Sequence, residues 1–276
     1  MTAAARPIRV GSRSATFQQW QALLTNRTKR LRAGEFLVQG VRPVSEAARQ
    51  GWTIRALLHD GRPTPSKWAA QLWETTPVAA RFVVAPELMA ELGEKLDGVP
   101  ELLAVAQMPP DNLSRLEVAD RPLLVTVFDR PASPGNVGTL IRSADAFGGT
   151  GLVVTGHGAD PYDPRCVRAS TGSFFGVPVV RAPSHREVID WVGALREAGS
   201  PVTVIGADED GAVDVRQADL TGPLVLVIGN ETTGLTTAWR AECDLVVSLP
   251  MVGAASSLNA ATAGSILLYE AMRQRA

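Results

Sequence analysis

The second half of this 276-residue chain consists of short, near-continuous apolar runs that alternate with longer segments of helical character. Runs of this kind are typical of parallel strands that are covered on both faces. The sequence therefore predicts an α/β fold with a doubly wound parallel sheet, and such sheets bind ligands at the carboxyl ends of their strands. The predicted strands are residues 123–128, 151–154, 178–180, 202–205, 224–228 and 245–248. The main predicted helices are residues 137–147, 185–198 and 259–274.

The first hundred residues show a separate alternation of strands and helices. Phe17, Trp20, Leu23 and Leu24 have the spacing of one face of a helix. Further along, apolar runs alternate with amphipathic segments, which predicts a small α/β sandwich. The predicted strands are residues 35–39, 53–59, 81–84 and 102–106, and the predicted helices are residues 43–50, 66–74 and 86–96.

A polar segment that contains three prolines, QMPPDNLSRLEVADRP at residues 107–122, separates the two blocks. Segments of this composition are typical of domain boundaries. We therefore predict a first domain over residues 1–108, a linker over 109–121 and a second domain over 122–276.

Composition excludes several classes of protein. No apolar run reaches the roughly 18 residues of a membrane-spanning helix, and the N-terminus lacks the apolar core of a signal peptide, so we expect a cytoplasmic protein. The two cysteines, Cys166 and Cys243, lie far apart and are expected to be reduced thiols. The three histidines lack the spacing of metal ligands, so we expect no metal site.

Charge is distributed unevenly along the chain. Residues 1–34 hold seven of the 27 basic residues and no acidic one, which leaves 20 basic and 28 acidic residues in the remainder. A basic arm on an acidic body favours a polyanionic partner such as RNA, although a solvated tail is the alternative. The candidate RNA contacts are Arg27, Lys29, Arg30 and Arg32.

Three polar, glycine-containing clusters follow predicted strands of the second block, at residues 133–142, 228–235 and 249–259. Each alone has a structural interpretation as a helix cap or a tight turn. Together they predict a ligand site at the strand ends. A dinucleotide fingerprint is excluded because Gly156 and Gly158 lack a third glycine at the required spacing, and no GK[ST] phosphate loop is present.

In this order, the three clusters resemble the motifs of the SpoU ribose methyltransferases of the SPOUT superfamily. The matching sequences are NVGTLIRSADAFG, LVIGNETTGL and SLPMVGAASSLNAATAGSILLYE. The first block resembles that family's substrate-binding domain through EFLVQG and SEAARQG. Departures are Ser133 where an aspartate is common, Ala260 after the last motif's asparagine, and DGVPELLAVAQ at the end of the first domain.

The resemblance implies a trefoil knot in the second domain and S-adenosylmethionine bound in it, largely through backbone groups. Knots are rare among folds, so periodicity alone never predicts one. The implied cofactor contacts are Gly229, Leu249 and Leu258, with Met251 lining the pocket and Thr155 and Gly156 as weaker candidates.

The resemblance also implies methyl transfer to a ribose 2′-hydroxyl of RNA, with Arg142 as the activating residue and Asn136, Glu231 and Asn259 around it. A guanidinium is a poor base because its pKa exceeds about 12. We therefore expect Arg142 to hold a phosphate and stabilise the developing alkoxide. Glu231 is expected to orient Arg142 or a motif asparagine, and a purely structural role for Glu231 stays open.

Members of the family are homodimers whose knotted domains complete the site, so a homodimer is expected here. The two-domain layout favours ribosomal RNA, most of all 23S rRNA, as the substrate. A tRNA ribose methyltransferase and a non-catalytic RNA-binding protein on the same scaffold are the alternatives. The arginine-rich composition also resembles actinomycete enzymes that protect the producer's ribosome from an antibiotic such as avilamycin, so a role in resistance is an additional expectation.

Overall fold

The computed structural model describes residues 6–94, 98–117, 121–255 and 257–276. The chain forms two compact units. The first unit comprises Met1–Pro109 and Tyr162–Gly176, and the second comprises Pro110–Pro161 and Val177–Ala276.

The first unit contains a five-stranded mixed sheet in the order β1-β4-β3-β5-β2. Strands β1, β4 and β3 are parallel, while β5 runs antiparallel to β3 and β2. The elements are β1 Ile8–Val10, α1 Ala15–Thr25, α2 Arg27–Ala33, β2 Glu35–Val38, α3 Val41–Arg49, β3 Ile54–His59, α4 Lys67–Thr75, β4 Val78–Val84, α5 Pro86–Gly93 and β5 Leu102–Gln107.

Helix α1 shows how this unit follows from the sequence. Ser14 caps the helix, since its Oγ accepts a hydrogen bond from the Phe17 N–H at 3.4 Å. The four residues predicted to form one face, Phe17, Trp20, Leu23 and Leu24, are all buried. They pack in one hydrophobic core with residues of β3, β4 and α5. That prediction is confirmed, whereas β1 and α2 were not predicted.

The second unit contains a seven-stranded, wholly parallel sheet in the order β10-β12-β9-β11-β6-β7-β8. The remaining elements of the chain are β6 Leu124–Asp129, α6 Pro134–Ala146, β7 Gly151–Thr155, α7 Pro164–Ala169, β8 Val179–Ala182, α8 His185–Glu197, β9 Thr203–Ala207, β10 Val213–Asp214, β11 Leu224–Ile228, α9 Thr237–Glu242, β12 Leu245–Ser248 and α10 Ala260–Gln274. Of these, α7 belongs to the first unit.

Helices cover both faces of the parallel sheet. On one face, Val188 of α8 and Trp239 of α9 lie in a core with valines of β6 and β11. On the other face α10 packs against α6 and β11, and a Cβ on Gly264 would lie 2.7 Å from a methyl carbon of Leu140. The predicted doubly wound parallel sheet is confirmed.

Strands β6, β7 and β8 follow one another toward one edge of the sheet. The later strands lie on the other side of β6, and β11 is the one that pairs with β6. The direction of winding thus changes between β6 and β11, where Phe128 lies opposite Ile228. Doubly wound sheets bind ligands at such a switch point, beyond the carboxyl ends of the strands. The fold therefore directs attention to the loops that follow β6 and β11.

Two parts of the fold differ from the predicted domain layout. The predicted linker contains a short 3₁₀ helix, Leu113–Leu116, and Leu116 is fully buried in the second unit. Residues 162–176 group with the first unit, where the rings of Tyr162 and Phe174 pack against Phe36. Both segments are held in place by burial of these apolar side chains. They were not predicted because neither forms a strand or a long helix that the sequence pattern could show.

Among the described residues, the longest apolar helices are too short to span a lipid bilayer. The same residues contain no group of three or more His, Cys, Asp or Glu side chains that is arranged to hold a metal ion. Among the described residues, Cys166 and Cys243 form no disulfide. Burial raises the pKa of the Cys243 thiol to about 12.

Candidate active site

Three sequence motifs meet where β6 and β11 end and α10 begins. Asn136 lies in the first turn of α6, Glu231 follows β11, and Asn259 is the N-cap of α10. Because β6 and β11 are neighbours in register, the loops after them are brought side by side. The predicted residues Asn136, Glu231 and Asn259 are therefore assembled by the fold.

A continuous hydrogen-bond network joins these three side chains. The Asn136 amide Nδ2 donates to Glu231 Oε1 at 3.0 Å, and Asn259 Nδ2 donates to Asn136 Oδ1 at 3.2 Å. Asn259 Oδ1 in turn accepts from the first N–H groups of α10, at Ala261 and Thr262. Each amide is thus held in one orientation by its hydrogen bonds to the other members of the network.

Glu231 holds the loop that leads into α6. Its carboxylate accepts hydrogen bonds from the backbone N–H groups of Ala132, at 2.8 Å, and Ser133, at 3.2 Å. Among the described residues, its side-chain partner is Asn136, so of the two predicted orienting roles the structure shows the one toward an asparagine. Arg142 is not part of this network.

Ionisation of Glu231 is favoured by these contacts. Burial alone would raise the pKa of the carboxyl, but the hydrogen bonds from Ala132, Asn136 and Ser133 outweigh it, and the pKa lies below its ordinary value of 4.5. Glu231 is therefore an anion at neutral pH. With three hydrogen bonds accepted and its pKa lowered, the carboxylate is a weaker base than an ordinary glutamate.

Replacement of Glu231 by glutamine should give a pH-dependent loss of stability. A carboxyl whose pKa is lower in the folded state stabilises the fold above its unfolded pKa, and that contribution is lost as the pH falls through the folded pKa. We expect Glu231→Gln to lower the free energy of unfolding by about 1 kcal/mol at pH 7. The deficit should shrink below about pH 4.5. Urea unfolding at pH 7 and pH 4 measures this, and a deficit that is the same at both pH values would contradict it.

Arg142 lies in the third turn of α6 and is exposed. Within the described part of the chain, the structure shows no hydrogen bond or ion pair for its guanidinium. Six residues along a helix correspond to a rotation of about 120° between Asn136 and Arg142. Asn136, Glu231 and Asn259 were expected to lie around Arg142, whereas within one chain Arg142 is directed to solvent.

A cavity of about 590 Å³ adjoins the network, and Glu231 forms part of its wall. Cavities of this size are typical of cofactor and small-molecule sites. Four of the six predicted cofactor contacts line it, namely Gly229, Leu249, Met251 and Leu258.

Gly229 opens a tight turn that forms one wall of this cavity. Asn230 and Gly234 form a backbone bridge across the turn, and Gly234 has a positive φ of 62°. A Cβ on Gly229 would lie 2.2 Å from the carbonyl carbon of Gly234, a distance that real Cβ atoms do not reach. The side chain of Asn230 fixes the turn by donating to the Arg130 carbonyl at 2.6 Å. Only glycine therefore fits at position 229.

The residues present fit S-adenosylmethionine. Met251 and Leu258 are 37% and 40% exposed, so apolar surface is available that a flat aromatic ring would cover. Sequence reasoning missed the acidic wall formed by Asp208, Glu209 and Asp210 after β9. Carboxylates there can accept hydrogen bonds from ribose hydroxyls or an ammonium group. The DED run in the sequence was the only signal for this wall.

Thr155 and Gly156 are placed differently. They do not line the cavity, and Thr155 is wholly buried with its Oγ1 donating to Asp129 Oδ1 at 2.7 Å. Gly156 has a positive φ of 65° and packs against the side chain of Arg130. Both residues thus contact residues at the end of β6 and hold the ends of β6 and β7 together.

The four basic residues predicted to contact RNA divide into two groups. Arg27, Lys29 and Arg32 are exposed on α2. Arg30 is 2% exposed, and its guanidinium donates to the carbonyls of Leu23, at 2.7 Å, and Leu24, at 3.1 Å. The prediction that Arg30 contacts RNA is therefore wrong for this structure, because its guanidinium is buried and hydrogen-bonded to carbonyl groups at the end of α1.

A doubly wound parallel sheet with a preorganised amide–carboxylate network beside a nucleotide-sized cavity defines a ligand-binding α/β enzyme. Comparison with family models identifies it further. Residues 14–104 match the SpoU L30e-like domain, and residues 123–269 match the SpoU rRNA Methylase family. The chain belongs to the SpoU rRNA methylase family, which confirms the resemblance drawn from its motifs.

Relatives match over nearly the whole chain. A 23S rRNA (uridine(2479)-2′-O)-methyltransferase of Streptomyces viridochromogenes is 57% identical over 274 residues, 99% of this chain and 94% of that protein. The crystal structure of the SpoU methyltransferase AviRb from the same organism, in complex with AdoMet, superposes with a TM-score of 0.91 at 57% identity, covering 95% of this chain and 98% of that chain. An AdoMet-bound rRNA methyltransferase from Sinorhizobium meliloti superposes with a TM-score of 0.80 at 29% identity, covering 96% and 98%.

Proposed function

We propose that this protein transfers a methyl group from S-adenosylmethionine to a ribose 2′-hydroxyl of 23S rRNA. The observation that carries the proposal is the network of Glu231, Asn136 and Asn259 at the wall of the cavity that Gly229 shapes. The similar Streptomyces enzyme, named for 2′-O-methylation of 23S rRNA, supports the same reaction here.

The cavity residues hold the cofactor mainly through backbone groups and apolar contacts. The turn at Gly229 and the segment that carries Leu249, Met251 and Leu258 form the cradle. When bound there, S-adenosylmethionine supplies a methyl carbon activated by its sulfonium. Glu209 and Asp210 complement the positive charges of that molecule, whereas Asp208 is paired with Arg240, which also lines the cavity.

Alignment and charge stabilisation are the contributions of the protein to the reaction. The network fixes the loop before α6 and the start of α10, so that the RNA ribose is held in one position, and alignment of this kind contributes several kcal/mol. Arg142 grips the adjacent phosphate and stabilises the developing alkoxide. The proton that the 2′-oxygen loses as the methyl–oxygen bond forms and the methyl–sulfur bond breaks is released to solvent water, so the reaction does not depend on Glu231 as a base.

A homodimer completes the site in this proposal. Ile266 and Tyr269 are 39% and 49% exposed on one stripe of α10, and Tyr269 packs on Phe147 at the end of α6. An exposed apolar stripe on a rigid helix pair suits a two-fold interface. Arg142 is on α6 of the same pair, so dimerisation would direct it to the partner's site. The trefoil knot of the family is part of the same proposal.

Charges on the exposed stripe should break the dimer. We expect Ile266→Glu combined with Tyr269→Glu to raise the dimer dissociation constant by more than about a hundredfold, since buried unpaired charges are costly, and to abolish methyl transfer. Sedimentation equilibrium measures the first effect. Val41→Glu, at an apolar residue that is 60% exposed on α3, is the control and should remain dimeric. A double variant that remains dimeric would place the interface elsewhere.

The exposed cations of α2 should supply phosphate contacts. We expect replacement of Arg27, Lys29 and Arg32 by alanine to weaken RNA binding and to reduce the slope of log Kd against log salt by about 2. Binding of S-adenosylmethionine should not change. Filter binding across a salt series measures the slope. Arg30 is left intact because its loss would remove the hydrogen bonds that hold the end of α1. An unchanged slope would show that the cations of α2 do not contact RNA.

Tritium transfer tests the choice of substrate. Labelled S-adenosylmethionine should deliver label to 23S rRNA and not to bulk tRNA. Label in tRNA alone would favour the tRNA enzyme, and no label in either RNA would favour a non-catalytic RNA-binding protein. Cytoplasmic location and a contribution to antibiotic resistance are parts of the proposal that depend on the first outcome.

A further inference from the structure

The first unit contains a second cavity, of about 330 Å³, beside the edge strand β1. Its wall comes from β1, β4, α4 and the loop after β3. The residues with chemical functionality in that wall are Arg9, His59, Arg62, Trp73 and Glu74.

The sheet register explains why the cavity exists. Arg9 of β1 and His59 of β3 both lie opposite Val83 of β4, so the three side chains form a row on one face of the sheet. The opposite face holds the apolar core with Val10 and Val84. The outermost residue of the row is the charged Arg9. Next to α4, this face of the sheet is therefore not closed by apolar packing.

His59 presents a hydrogen-bond donor to this cavity. The residue is 8% exposed, and its Nδ1 accepts a hydrogen bond from the Gly61 N–H at 2.8 Å. The proton of the neutral imidazole is then on Nε2. Within the described part of the chain, the structure shows no hydrogen bond to Nε2, which leaves this donor available to a ligand in the cavity.

Trp73 and Glu74 add an aromatic surface and an acceptor. The Trp73 ring is partly buried, meets the His59 ring edge-on with 5.5 Å between centroids, and has the Arg81 guanidinium over it at 5.8 Å from its centroid. Glu74 is exposed at the rim, as is Arg9, for which no ion pair is seen in the described residues. Arg62 is held back by Asp60, with 2.7 Å between its Nη2 and the carboxylate.

We propose that this cavity binds one unpaired nucleotide of the RNA substrate. The base packs against Trp73, its edge receives the His59 Nε2–H and donates to Glu74, and its phosphate meets Arg9. An aromatic ring with a nearby cation is a common platform for single-stranded RNA. The site rests on the proposed function, because the RNA is the substrate named there.

Charge favours a polymer over a free small ligand. The first unit carries sixteen basic and ten acidic residues, whereas the second carries eleven and eighteen. A single exposed cation at the rim suits a phosphate that is part of a chain held elsewhere on the unit, for example at α2.

The test is binding of the full chain to transcribed 23S rRNA at several salt concentrations. We expect Trp73→Leu to raise the Kd about tenfold, whereas Trp73→Phe, which keeps a ring, stays within about threefold of the wild type. Arg9→Gln should reduce the salt slope by about 1. Arg55→Gln, an exposed arginine at the other end of β3, is the matched control and should have no effect. Cofactor affinity should be unchanged throughout.

The outcomes separate the cavity from the enzyme. If the wild type methylates 23S rRNA while Trp73→Leu and Arg9→Gln bind it normally, the cavity is not an RNA site and the proposed function stands. If Trp73→Leu and Trp73→Phe lose affinity equally and melt at lower temperature, Trp73 has a structural role and the proposal fails. A wild type that neither binds nor methylates 23S rRNA overturns the proposed function, and the cavity's role with it.

Discussion

Gly229→Ala is expected to lower the affinity for S-adenosylmethionine by about ten- to a hundredfold. The new Cβ would lie 2.2 Å from the carbonyl carbon of Gly234 and 2.4 Å from the N of Leu235. Both are backbone atoms, so the turn itself must move, and overpacking against a fixed backbone costs about 1–3 kcal/mol. Because the turn is a wall of the cavity, its displacement removes the cradle. Isothermal titration calorimetry measures the affinity.

Gly193→Ala is the matched control for this variant. Gly193 lies in α8, and nothing lies within 4 Å of a Cβ built there. Alanine is the better helix former by about 1 kcal/mol, so that variant should bind normally and be slightly more stable. Normal binding by Gly229→Ala would show that this turn is not part of the cofactor site.

Arg142→Ala is expected to slow methyl transfer by about a hundredfold or more in single-turnover reactions with saturating RNA. Loss of one preorganised group that stabilises a developing negative charge has effects of this size. Arg142→Lys should restore little, because an ammonium does not reproduce the bidentate grip of a guanidinium on phosphate. Cofactor affinity should stay near that of the wild type, since Arg142 does not line the cavity.

Arg186→Ala provides the control, because Arg186 is exposed on α8. If Arg142 serves the partner's site, mixing Arg142→Ala with Gly229→Ala should restore part of the activity, since one mixed site has an intact cradle and an intact arginine. Near-normal rates for Arg142→Ala would contradict the mechanism. No recovery on mixing would place Arg142 in its own chain's site.

The sequence predicted the parts of the fold that depend on local pattern. Strand β11, at Leu224–Ile228, was predicted with its observed bounds because an apolar run between turn residues is unambiguous. Strand β1 has three residues, too few to show a period. Helix α2 was missed because charged residues dominate it and its only buried residue is Arg30. The knot stays a prediction, since threading is not a property of any local pattern.

The site was predictable to the extent that its residues form motifs. Asn136, Glu231 and Asn259 were named from motifs, and their hydrogen bonds follow from the register of β6 and β11. The exposure of Arg142 depends on the rotation of α6, which the motif alone does not give. The burial of Arg30 depends on the carbonyls at the end of α1, so its charge pointed to RNA although its contacts are internal.

The position of the methyl group on the product tests the account most directly. Transcribed 23S rRNA, treated with the protein and S-adenosylmethionine, can be digested to nucleosides and fragments and examined by mass spectrometry. We expect one new 2′-O-methylated nucleotide, absent when Gly229→Ala or Arg142→Ala replaces the wild type. A methyl group on a base, or RNA that stays unmodified although the folded protein binds the cofactor, would contradict it.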